Sequence, residues 1–76
     1  MITVKLYGLL RIESGIKEKV MEAASVKEVL ENLAACGIPD KDLCGCVILI
    51  NGKNANKRSK LKDGDTVVLM SPVAGG

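Results

Sequence analysis

Ile2, Val4 and Leu6 alternate with Thr3, Lys5 and Tyr7, a period of two that predicts a half-buried strand with Tyr7 on its outer side. Past the Ser14-Gly15 punctuation, residues 16–22 set Ile16, Val20 and Met21 among charges and predict a weaker, edge-like strand joined to the first as a hairpin. Ser25-Val26-Lys27-Glu28 has the form of a capping box, with the Ser25 hydroxyl accepting from the Glu28 N–H and the Glu28 carboxylate reaching back to the Ser25 N–H. Val26, Val29, Leu30, Leu33 and Ala34 follow at i, i+3, i+4, i+7 and i+8, one apolar stripe of a helix that Gly37 and Pro39 stop.

Val47, Ile48, Leu49 and Ile50 form a continuous run ending at Asn51-Gly52, which predicts an interior strand covered on both faces and then a turn. Residues 53–62 read as a polar segment, Asp63-Gly64-Asp65 as a turn, and residues 66–70 as a last strand. From Ser71 on, Pro72 and the paired glycines oppose both helix and ladder, so the expected organisation is a domain over 1–70 and an extended tail over 71–76. The order strand, strand, helix, strand, polar segment, strand predicts an α+β fold, a mixed sheet with one main helix packed across it. With the first and last strands parallel at the centre, this is a β-grasp, or ubiquitin-like, arrangement.

Composition adds constraints. The 76 residues fit one domain, and the 47% hydrophobic content includes one aromatic, Tyr7, so the core has to be aliphatic. A net charge of +2 and the lack of a stacking platform argue against nucleic-acid binding. No apolar run approaches the roughly 20 residues of a membrane span, and three cysteines, an odd number, fit a reducing compartment. The expectation is a cytoplasmic protein with no membrane or nucleic-acid partner.

Histidine is absent, which removes triads and His-bearing metal sites and argues against a self-contained enzyme. Glu18, Glu22, Glu28, Glu31, Asp40 and Asp42 interleave with lysines as a solvated surface. Cys36, Cys44 and Cys46 are thiol candidates, but a single residue separates the last two and there is neither a fourth Cys nor a His. Small buried or half-buried thiols, with no metal, are therefore the expectation. Lys53, Lys57, Arg58, Lys60 and Lys62 form a local positive patch without an acid, either a solvated edge or a steering surface for an acidic protein partner.

With 8 Gly among 76 residues, a terminal Gly-Gly arises by chance about 1% of the time on composition alone. Such an end suits a different purpose: without Cβ atoms it can enter a narrow channel and present its carboxylate unobstructed. A carboxylate becomes electrophilic only as a mixed anhydride such as an acyl adenylate, so ATP and a partner enzyme would have to activate it.

The sequence from Leu61, L-K-D-G-D-T-V-V-L-M-S-P-V-A-G-G, resembles the MoaD/ThiS family of β-grasp sulfur carriers, with its L-x-D-G-D-x-V followed by P-V-x-G-G. Within that family it is most similar to the small subunits of molybdopterin synthase. Leu61, Asp63, Gly64, Asp65, Val67, Pro72, Val73, Gly75 and Gly76 stand at the family's positions. Ser71, Leu69 and Met70 depart from it, since a second Pro and aromatics are frequent there. The resemblance implies a non-catalytic carrier that binds no cofactor. Its Gly76 carboxylate is adenylated by a ubiquitin-activating-like enzyme of MoeB/ThiF type, using ATP. A sulfurtransferase or cysteine desulfurase supplies the sulfur that makes it a thiocarboxylate. The tail, Pro72, Val73, Ala74 and Gly75, then inserts into a large synthase subunit of MoaE type to build the molybdopterin dithiolene. Related carriers serve thiamine, tRNA thiolation or protein modification, and a non-reactive β-grasp interaction module is the remaining alternative. Docking is expected through a sheet patch near Tyr7 and Met70, with Lys57, Arg58 and Lys60 accelerating encounter.

Overall fold

The computed structural model describes residues 1–38, 43 and 45–71. In chain order the elements are β1 (Ile2–Tyr7), α1 (Leu9–Ser14), β2 (Glu18–Met21), α2 (Val26–Ala35), β3 (Val47–Ile50), β4 (Lys53–Ala55) and β5 (Thr66–Met70). They form one sheet in the order β2-β1-β5-β3-β4. The first and last strands pair in parallel at its centre, Thr3 with Thr66 through Tyr7 with Met70, and the other pairings are antiparallel. This is the β-grasp arrangement predicted from element order.

Alternation decides the core. Ile2, Val4 and Leu6 point inward with Val67, Leu69 and Ile48, and α2 lays Val26, Val29 and Leu33 over them. Each such side chain withdrawn from water contributes about 1.5–3 kcal/mol. Leu10, Met21, Ile38, Leu43 and Leu61 close the margins of this aliphatic cluster.

α2 begins as the capping box requires at one contact: the Ser25 hydroxyl accepts from the Glu28 N–H at 3.3 Å. The reciprocal arm differs, because the Glu28 carboxylate accepts from the Ser25 hydroxyl itself at 3.4 Å. The predicted stripe is also narrower than five residues. Leu30 is half-buried and Ala34 exposed, since a single helix on one face of a sheet seats only its central ridge.

Three further differences have physical causes. The turn from β1 to β2 holds the six-residue helix α1, too short and too little buried for its periodicity to register. The segment expected to be merely polar contains β4, which pairs with β3 through Ile48–Ala55, Leu49–Asn54 and Ile50–Lys53. An edge strand tolerates such polar residues because only one side of it is bonded. The Asn51-Gly52 turn links the two, with φ of 51° and 84°, the paired positive values of a tight hairpin turn. Finally, β3 is interior in pairing but covered on one face only: Ile48 is buried, whereas Val47 remains 43% exposed.

Candidate functional site

The expected reacting group, Gly76, and the expected tail residues Pro72, Val73, Ala74 and Gly75 lie outside the described residues; their root is Ser71. β5 runs parallel to β1 and delivers the chain to Ser71, whose N–H donates to the Tyr7 carbonyl at 3.5 Å. Central pairing therefore continues as far as Ser71.

Gly8 faces that root. Its φ is +69° with ψ at −142°, a conformation open essentially to glycine alone. A Cβ placed there would come within 2.6 Å of Ser71 Oγ, so the backbone angle demands glycine and the space adds a cost unless the Ser71 hydroxyl rotates away. Immediately afterwards α1 begins, with Arg11 and Ile12 N–H groups donating to the Gly8 carbonyl at 3.1 Å. Sequence reading missed Gly8, because nothing local reveals that residue 71 will pass beside it.

On the outer face of the sheet the registers align Tyr7, Met70 and Val47 in one row across three strands. The next row aligns Lys5, Val68 and Leu49 with Asn54. Farther from the tail the face turns polar, Thr3 against Thr66. Tyr7 is 41% exposed and Met70 half-buried. The apolar part of this uncovered face is thus at the Ser71 end of the sheet, and the predicted pair Tyr7 and Met70 sits within it, joined by Val47 and Leu49.

The opposite end of the sheet is tied down. Asp65 accepts from the Lys62 N–H at 2.8 Å and from the Asn51 side-chain amide at 2.9 Å. These two bonds hold its carboxyl below the usual carboxylate range. The Asn51 side-chain oxygen accepts in turn from the Thr66 N–H at 3.0 Å, and the terminal ammonium of Met1 pairs with Asp63.

Lys57, Arg58 and Lys60 are placed elsewhere. They line a groove against α2, on the helix side of the sheet, away from Tyr7 and Met70. Of the cysteines, Cys36 is exposed at the end of α2, contrary to the expected burial, because the helix stops at the sheet margin; Lys19 Nζ approaches its sulfur at 2.6 Å. Cys46 is half-buried, its thiol donating to the Leu43 carbonyl at 2.9 Å, and Cys44 lies outside the described residues. Among the described residues no cluster of three or more Cys, Asp or Glu could hold a metal ion, and no helix is long and apolar enough to cross a membrane.

Comparison with known proteins places this geometry. The chain is similar to a chain in the complex of subunits 1 and 2 of molybdopterin-converting factor from Helicobacter pylori 26695, at 28% identity and a TM-score of 0.74, covering 99% of this chain and 97% of that one. It is similar to small archaeal modifier protein 1 from Methanosarcina acetivorans at 27% identity and a TM-score of 0.80, covering 99% and 95%. The BexX/CysO complex of Amycolatopsis orientalis contains a chain of the same fold at 24% identity and a TM-score of 0.80, with both chains covered completely. No curated protein sequence matches the chain. The model of the ThiS family matches residues 4–76, which takes in most of β1, the other strands, both helices and the Gly-Gly end, and the chain belongs to this family of small sulfur carriers.

Proposed function

We propose that this protein carries sulfur as a C-terminal thiocarboxylate on Gly76 and donates it, as the small subunit of a molybdopterin synthase, to the dithiolene of the molybdenum or tungsten cofactor. The observation that carries the reading is the P-V-A-G-G end continuing from a central strand whose exit is flanked by the Tyr7, Met70 and Val47 row. The likeness to a chain of the Helicobacter pylori subunit 1 and 2 complex supports the choice of pathway.

The chemistry divides between chain and partners. A Gly76 carboxylate oxygen attacks the α-phosphorus of ATP on an activating enzyme and pyrophosphate leaves, giving an acyl adenylate. Hydrosulfide-level sulfur then attacks the acyl carbon, AMP departs with the bonding pair, and a thiocarboxylate remains. The domain supplies no acid or base to either step. It positions the tail and supplies apolar surface for docking, while the partner enzymes provide catalysis.

A second reading, a carrier for tRNA thiolation or protein modification, is favoured by the likeness to the archaeal modifier. Incubation with ATP, a MoeB-type activating enzyme and sodium sulfide should raise the intact mass by about 16 Da, oxygen exchanged for sulfur, and deletion of Gly76 should abolish the rise with circular dichroism unchanged. The sulfurated protein mixed with a MoaE-type subunit and the cyclic pterin precursor should then yield dithiolene. An unchanged mass beside a control carrier that reacts would overturn the carrier chemistry. A mass rise without dithiolene would move the protein to the second reading.

A further inference from the structure

The groove beside α2 departs from a solvated loop in three respects. Its volume is about 1030 Å³, large enough for several side chains. Its floor is apolar: Leu30 and Ala34, the two stripe residues of α2 that the core does not enclose, meet Leu43 there. Its rim is cationic, with Lys57, Arg58 and Lys60 on one side and Lys27 on α2, against one carboxylate, Glu31, among the described lining residues.

The wall bearing these charges is built rather than loose. Residues 56–59 form a turn bonded to itself, the Asn56 side-chain oxygen accepting from the Arg58 N–H at 2.8 Å and the Ser59 hydroxyl from the Asn56 N–H at 3.1 Å. Beyond it the Ser59 carbonyl accepts from Val26 at 3.0 Å and the Leu61 N–H donates to Ala24 at 2.8 Å, which pins the wall to the start of α2. Among the described residues no carboxylate pairs with Lys27, Lys57, Arg58 or Lys60; the recorded ion pair is Met1 with Asp63. Four cations gathered around an apolar floor attract carboxylates, and their complement is a peptide rich in carboxylates with apolar side chains between them.

We propose that this groove is a second docking surface, which takes an acidic peptide segment of a partner protein with its apolar side chains on Leu30, Ala34 and Leu43 and its carboxylates on Lys27, Lys57, Arg58 and Lys60. It goes beyond the sulfur-carrier reading and does not depend on Gly76. Because the groove is on the helix side of the sheet and Tyr7, Met70 and Val47 are on the other, both surfaces can be engaged together. A protein bound at the groove can therefore accompany the carrier while its tail is in use.

The test is an amide NMR titration of the full-length protein with a blocked synthetic peptide of repeating Glu-Glu-Leu. Shifts should concentrate at residues 27–34, 43 and 57–60 and spare Tyr7, Val47 and Met70, equally so in the protein lacking Gly76. Lys57→Glu with Arg58→Glu should weaken binding about tenfold or more, and Ala34→Gln, which fills the floor without changing charge, should do the same. Each variant is checked for an unchanged spectrum elsewhere. Any of four results overturns the proposal: no shifts up to about 1 mM peptide; shifts on the outer face; equal binding of a peptide with Ser in place of Leu, which would reduce the groove to a plain charge; or tighter binding of a single-stranded RNA oligonucleotide than of the peptide.

Discussion

Val67 and Leu69 of β5 are wholly enclosed beneath α2, whereas Val68 and Met70 of the same strand keep partly open side chains on the outer face. The residue types scarcely differ, and the neighbouring strands repeat the contrast, Ile48 inward and Val47 outward. On the inner face an apolar side chain stabilises the fold by leaving water. On the outer face it does so only in part, and the surplus gathers beside Ser71, where a docked partner would cover it. Equal hydrophobicity thus serves stability on the inner side, and on the outer side leaves apolar surface open beside Ser71.

Substitution within β5 should break this comparison most strongly. Leu69→Ala removes a fully buried side chain and should lower stability by about 2–5 kcal/mol, through lost transfer energy and a cavity, whereas Met70→Ala should cost about 1 kcal/mol or less. Denaturant midpoints measure both, and equal losses would mean that the outer face is covered within the domain itself. Gly8→Ala comes next. The positive φ and the approach to Ser71 Oγ should together cost about 1–3 kcal/mol. Pairing Gly8→Ala with Ser71→Gly should recover the steric part and leave the backbone part, as thermal unfolding of the two variants would reveal.

Tyr7→Ala sharpens the same contrast from the other side. It should leave the melting temperature nearly unchanged yet weaken binding to a MoaE-type or activating partner by about 1–2 kcal/mol, chiefly through faster dissociation. Stopped-flow binding with unaltered dissociation would remove Tyr7 from the interface. The smallest effect belongs to the tied-down end of the sheet. The lowered folded-state pKa of Asp65 means that its contribution is complete above an unfolded aspartate's pKa of about 3.9 and is lost as pH falls through the lower folded value. Asp65→Asn should therefore flatten the acid limb of the stability profile, and an unchanged limb in acid titration followed by circular dichroism would show that the turn's other bonds carry that end alone.

Much of this molecule was legible in one dimension. Ile2 to Leu6, the Ser25 cap, the Asn51-Gly52 turn and the Asp63-Gly64-Asp65 turn are local signals, because alternation, hydroxyl capping and positive φ act within a few residues. From them followed the order of the main elements, and the Gly-Gly end pointed to carrier chemistry before any fold was known. What sequence could not convey is pairing across distance. That Ser71 would pass Gly8, that Tyr7, Met70 and Val47 would share a row, and that residues 57–60 would stand against Leu30 and Ala34 depend on strand order and helix placement. α1 and β4 were missed for the related reason that six residues and three carry too little periodicity to be seen without their neighbours. The apolar pattern of the chain determined how much surface must leave water, and only the tertiary structure, by laying one helix across one face, decided which half of that surface would be enclosed and which would stay open.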